Sequence, residues 1–123
     1  MTRVNCVPVE ELSDSHLMAE HREIVRVSKL ARPLKPGEVG PYTLGKGHVK
    51  FFYDKGAWMQ SRYESIYAEC KSRGLNVTYW GYRPHPDGLN GHWEPSEGDR
   101  EVNRGRIRER IAANPKHHRW SKK

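Results

Sequence analysis

A threonine at position 2 carries the first chemical option in this chain. So small a second residue permits removal of the initiator methionine, leaving an α-amine whose reference pKa of about 8 lies well below that of lysine. A useful fraction of such an amine is neutral at pH 7. It can attack an electrophilic sugar carbon or aldehyde and form an imine, as a Schiff-base lysine does. The second option is Glu23, set between Arg22 and Arg26. Arg22, Arg26 and Lys29 recur at helical spacing and form one cationic stripe, which suits phosphates. A carboxylate at the edge of that stripe can stabilise a developing positive charge or accept a proton. Read alone, Thr2 is an ordinary processed terminus, and the stripe is a surface helix laced with ion pairs.

Other polar groupings offer less. His16 and His21 lie on different sides of a helix, so they do not form the i, i+4 pair that binds a metal, and no metal is expected. Gly45-Lys46-Gly47-His48 has no strand before it and no third glycine, which makes it a turn rather than a phosphate loop.

Three helical segments must position these groups. The first is expected from about Ser13 to Ala31, capped by Ser13, Asp14 or Ser15, with Leu17, Ile24, Val27 and Leu30 as its apolar stripe and Pro33 and Pro36-Gly37 beyond its end. The second runs from about Ala57 to Arg73, with Met59, Tyr63, Ile66, Tyr67 and Cys70 facing inward and Gly74 as its stop. The third begins near Ser96 and ends at Asn114-Pro115, with Val102, Ile107 and Ile111 as sparse apolar positions among five arginines. Between them, residues 33–48 and 76–95 form long loops with one short strand-like stretch, Asn76 to Trp80. Their aromatic residues must supply much of the core. The expected fold is all-α, a compact single domain over residues 1–123 with three main helices joined by long loops.

Composition bounds the function. The chain has 123 residues and a net charge of +7. Residues 1–99 are neutral, with thirteen Lys and Arg against thirteen Asp and Glu, whereas residues 100–123 hold nine Lys and Arg against Glu101 and Glu109. A basic end on a neutral body is a footprint for a polyanion, nucleic acid rather than membrane, because no apolar helical face accompanies the charge. A solvated tail has the same composition. The N-terminal segment lacks the apolar core of a signal peptide, and no stretch approaches the ~20 apolar residues of a membrane span. An intracellular, cytoplasmic protein that is not secreted is expected, with Cys6 and Cys70 as free thiols.

Several segments together resemble a known family. Met1-Thr2-Arg3-Val4-Asn5, His16-Leu17-Met18-Ala19-Glu20-His21-Arg22-Glu23 and Gly45-Lys46-Gly47-His48-Val49-Lys50-Phe51-Phe52-Tyr53-Asp54-Lys55 are similar to the phage-type pyrimidine-dimer DNA glycosylases, the UV endonuclease V family. Ala68-Glu69-Cys70 with Arg73-Gly74 continues the likeness. Gly91-His92-Trp93-Glu94-Pro95 and the run from Arg106 to Pro115 extend it more loosely.

The resemblance implies a DNA-repair enzyme that excises the 5′ base of a UV-induced cyclobutane pyrimidine dimer in duplex DNA and then nicks the strand by β-elimination as an AP lyase. It implies Thr2 as the nucleophile, through its α-amine after Met removal, and Glu23 as the essential carboxylate. Arg3, Arg22 and Arg26 match residues that hold the phosphates and the damaged site, His16 an active-site neighbour, and Arg106 and Arg110 basic positions on the third helix. No cofactor is implied, and the partner is double-stranded DNA containing dimers or abasic sites, bound by a monomer that kinks it and flips out a base. Two local features depart from the phage pattern: a shorter loop after the first helix, and Val25 in place of a proline. The family's Trp-Tyr-Lys-Tyr-Tyr segment is matched only by residues 117–121, where Arg119 keeps a charge and Trp120 an aromatic ring for stacking on bases. Two alternatives stay open: a glycosylase of the same chemistry for another damaged or modified base, and a module that binds distorted DNA without cutting it.

Overall fold

The structure, a computed structural model, describes residues 3–121. Four α-helices carry it: α1 (Asp14–Glu23), α2 (Val25–Leu30), α3 (Gly56–Ser72) and α4 (Glu97–Ala113). No β-strand occurs among the described residues, so the expected all-α fold is found, and the Asn76–Trp80 stretch is extended chain without a ladder. No described helix is long and apolar enough to cross a membrane.

The first expected helix is two helices. Ser13 caps α1 by accepting a hydrogen bond from the His16 N–H. The ladder breaks at Ile24, where the Val27 N–H bonds to the Ile24 carbonyl three residues back instead of four. The β-branched pair Ile24 and Val25 stands at the break, and Ile24 is wholly buried, so crowding and burial together set the bend. Leu30, expected on the apolar stripe, is instead 52 % exposed, because α2 ends there and the chain turns away.

Helix α3 packs against α1 through Met59, Tyr63 and Ile66. The long loops do complete the core: Tyr42 and Trp93 pack around Phe51 and Phe52, and Tyr82 packs near Tyr63. Gly56 is required by close approach, since a Cβ there would lie 2.1 Å from the Asn90 side-chain oxygen.

Helix α4 is fixed by a capping box between Ser96 and Asp99. Its anchor is Asn103, not the expected Val102, which is 53 % exposed. The Asn103 Oδ1 accepts from the backbone N–H of Cys6 at 2.8 Å and of Val7 at 3.2 Å, and its Nδ2 donates to Asn5 at 2.8 Å. With only Ile107 and Ile111 partly buried on this side, an amide zipper replaces hydrophobic packing as the means of docking α4.

Asn5 continues the network inward. Its N–H and Nδ2 donate to the Glu20 carboxylate, which also accepts from Arg62 Nε at 2.9 Å and Nη2 at 3.0 Å. Arg62 Nη1 in turn donates to the Val7 carbonyl at 2.6 Å. The Glu20 and Arg62 side chains are only 1 % and 7 % exposed, so each needs the other's charge. We predict that Glu20→Gln, which leaves the Arg62 guanidinium buried without a counter-charge, lowers stability by about 3–5 kcal/mol in denaturant unfolding. Arg104 has more ion pairs, to Glu11, Glu97 and Glu101, but these partners are 40–71 % exposed. Loss of one such surface pair costs under about 1 kcal/mol.

Candidate active site

The N-terminal segment runs through the molecule as a buried strap. Val4 is 0 % exposed, and its N–H donates to His48 Nε2 at 2.9 Å. His48 must therefore be unprotonated at Nε2, and its Nδ1 donates to the Thr43 carbonyl at 2.7 Å. The Gly45–His48 turn expected from the sequence thus presents a histidine that fixes the chain two residues from Thr2. Thr2 itself lies outside the described residues.

Burial pushes the His48 pKa down, and nearby Arg3 does the same, while the Thr43 carbonyl and Glu20 oppose it. Because the folded pKa lies below the unfolded value near 6.5, the unfolded chain takes up a proton first as pH falls. The resulting stability is present above about pH 6.5 and lost as pH drops through the folded pKa. His48→Gln, which keeps an acceptor but cannot titrate, is expected to flatten the fall in unfolding free energy between pH 7 and pH 5 by up to about 1.4 kcal/mol per pH unit. Equal slopes for the two proteins would remove His48 from this role.

Beside the strap lies a cavity of about 200 Å³ between α1 and α4. Its lining includes Arg3, Asn5, His16, Glu20 and Glu23 together with Arg106 and Arg110. His16, Ala19, Glu20 and Glu23 share one face of α1 at helical spacing, and Arg106, Ile107 and Arg110 share the facing side of α4. Five of the residues singled out in the sequence, Arg3, His16, Glu23, Arg106 and Arg110, are thereby brought together.

The two carboxylates of the cavity differ sharply. Glu20 is consumed by Arg62 and Asn5, whereas Glu23, at the last turn of α1, makes no ion pair with any described residue. Three guanidinium groups converge beside it. Burial first, then repulsion from Arg106 and Arg110, pulls the Arg3 pKa below its ordinary value, with Tyr42 and Glu23 acting the other way. A cluster of mutually repelling cations around one cavity is costly without an anion and favourable with a phosphate in place.

His16 adds a neutral imidazole. Burial, followed by His118, Arg110 and His117, lowers its pKa to about 4, and its Nδ1 is buried without a hydrogen-bond partner. No group of three or more metal-binding side chains is found among the described residues.

The remaining predicted residues lie elsewhere. Arg22 and Arg26 are exposed on the outer arc of α1 and α2, next to the cavity but not lining it. Arg119 and Trp120 belong to a tail strapped across the N-terminal end of α1: the Asp14 N–H donates to the Arg119 carbonyl at 2.7 Å and the Trp120 indole N–H to the Glu11 carbonyl at 3.1 Å. Ser121 is tied to Asp14 as well. That end lies about 13 Å along the helix from Glu23. Nor does the whole basic excess of residues 100–123 face the cavity. Arg104 and Arg108 are paired to acids and do not line it, while Arg106, paired to Glu109 at 3.5 Å, and Arg110 do.

Sequence reasoning missed Asn5, Glu20, His48 and Asn103. The spacing of His16, Glu20 and Glu23 was a usable signal for Glu20, but the long-range bonds of Asn5, His48 and Asn103 leave no periodic trace. A larger hollow of about 880 Å³ lies against the 38–53 loop, but its acid, Glu38, is taken up by Arg32 and Lys50.

An anchored N-terminal segment, an uncommitted carboxylate and a ring of arginines together suit chemistry on a phosphate-bearing polymer. The family model described as pyrimidine dimer DNA glycosylase matches residues 1–86, which span the strap and α1 to α3 and stop short of α4. The chain therefore belongs to the pyrimidine dimer DNA glycosylase family.

Proposed function

We propose that the protein excises the 5′ base of a cyclobutane pyrimidine dimer in duplex DNA and then nicks the strand as an AP lyase, with the Thr2 α-amine as nucleophile and Glu23 as its partner. The observation that carries this reading is the cavity holding Glu23, Arg3, Arg106 and Arg110 beside the anchored N-terminal segment. Arg3, which lines that cavity, directly follows Thr2 in the chain.

In the reaction the neutral amine attacks C1′, and the glycosidic electron pair leaves with the base, which takes up a proton. Glu23 stabilises the cationic character that develops at C1′. Loss of a proton from nitrogen lets its lone pair open the C1′–O4′ bond, O4′ takes up a proton to become a hydroxyl, and the protonated imine results. Removal of a C2′ proton then sends electrons into the C2′–C3′ bond and expels the 3′ phosphate, with Glu23 as the group that carries that proton. Arg3, Arg106 and Arg110 hold phosphates, Arg22 and Arg26 extend the contact outward, and His16 packs at the edge as a neutral imidazole. No cofactor enters. Unstacking a lesion that is already distorted costs less than opening intact duplex, which favours damaged sites.

The test is covalent trapping. Borohydride reduction in the presence of dimer-containing duplex should give a stable adduct mapped to the N-terminal peptide, together with nicked strand. A protein that binds the duplex but yields neither adduct nor nick is a binding module, and the reading fails.

A further inference from the structure

Trp80 is the most exposed of the large apolar side chains among the described residues, at 54 %. Its indole lies flat on the His21 ring, with centroids 4.8 Å apart and planes 25° from parallel. His21 is 1 % exposed and stacks in turn on Tyr63 at 5.4 Å and 28°. The three rings form a pile whose inner members are core and whose outermost face is open to water.

The pile is held in place. The Trp80 N–H donates to the Tyr63 hydroxyl at 2.8 Å, and Gly81, at φ +74°, makes a turn that a side chain would strain. Tyr79, the other exposed ring of this loop, is turned aside, with its hydroxyl donating to Glu64 and its ring edge-on to Tyr67. An indole fixed in this way has already given up the ordering entropy that a flexible side chain loses on binding.

Its position ties it to the cavity. Successive residues of α1 turn by about 100°, so His21, Arg22 and Glu23 step from the α3 side, across the solvent arc, to the cavity. Arg22 and Arg26 occupy that arc and make no ion pair with any described residue. A phosphate backbone crossing the arc would connect a sugar at Glu23 to a base at Trp80, roughly one helix width or ~10 Å away, a span of a few nucleotides at most. Trp120, the ring expected from the sequence to stack on bases, lies at the opposite end of α1.

We propose that the Trp80 indole is a stacking platform for a nucleobase that has left the duplex within a few nucleotides of the sugar that reacts beside Glu23. The placement of that sugar rests on the function proposed above. Every base has a π-face, so the platform contributes affinity for opened DNA without reading sequence.

The test uses the full-length protein and a set of duplexes carrying an uncleavable tetrahydrofuran abasic site, with 2-aminopurine placed in turn opposite the site and at each flanking position on either strand. Trp80→Ala and Trp80→Leu are each expected to bind roughly tenfold more weakly, with the slope of log affinity against log salt unchanged, because no phosphate contact is lost. Trp80→Phe should restore most of the affinity, and the 2-aminopurine quenching seen with wild type should vanish in the Leu variant. Wild-type affinity in both Ala and Leu variants overturns the inference. So does a flattened salt slope, which would make Trp80 a support for Arg22, and so does loss of self-association in sedimentation with DNA affinity intact, which would assign the face to a second copy. If the variants behave as expected but wild type neither traps nor nicks a cleavable substrate, the proposed chemistry fails and the platform stands.

Discussion

A form of the protein that keeps Met1, or is acetylated at the N-terminus, is expected to give no borohydride adduct and to cut dimer-containing duplex at least about 10³-fold more slowly. Acetylation leaves an amide that cannot form an imine. Retention of Met1 keeps an amine but displaces it by up to ~3.6 Å, more than the tolerance of a reacting pair. The displacement cannot be absorbed by sliding the segment, because Val4 is bonded to His48, Asn5 to Glu20, and Cys6 and Val7 to Asn103. Binding should survive in both forms, since Arg3, Arg106 and Arg110 are untouched. The measurement is adduct yield at saturating protein, with affinity determined separately. A persistent adduct would point to a lysine, and peptide mapping would show which.

Much of this arrangement is legible in the sequence, for specific reasons. Helical periodicity with Gly74 and Ser96 as punctuation locates α3 and α4 to within a residue or two, because both helices obey local signals. The first helix reads as continuous because Ile24 and Val25 are each compatible with a helix, and their crowding bends the chain only once Ile24 is buried in the core. The pairing of α1 with α4 has no local signature. It depends on Asn103 reaching residues 5 to 7, nearly a hundred positions away, and a buried asparagine in an arginine-rich helix looks like one more polar residue.

The cavity is half legible. Residue type and spacing single out Glu23, and the resemblance supplies Arg3, His16, Arg106 and Arg110, all of which line one space. The charge count is accurate but its reading is too broad. On α4 the arginines divide by what they face: Arg104 and Arg108 pair with Glu101, Arg106 pairs with Glu109 at 3.5 Å, and Arg106 and Arg110 line the cavity. A helix with cations on every face makes that division only once its neighbours are known.

Glu23→Gln is expected to lower single-turnover cleavage by about 10³-fold or more while leaving duplex binding and thermal stability close to wild type. The substitution keeps the shape and removes the charge, so what is lost is stabilisation of the cationic sugar together with the proton carrier, each worth roughly 10²- to 10⁴-fold. Glu20→Gln, one turn earlier on the same face, separates chemistry from structure. Glu20 is buried and bonded to Arg62 and Asn5, so its loss is felt in unfolding, and in rate only as far as the N-terminal strap loosens. Glu23 has no such partner among the described residues, and its charge acts on Arg3 only through space. The two variants should therefore fall on different axes, Glu23→Gln in rate and Glu20→Gln in stability. An unchanged rate in Glu23→Gln would remove that residue from the mechanism. An equal loss of stability would mean that its charge holds the cavity together, and the contrast between the two carboxylates would then be one of degree.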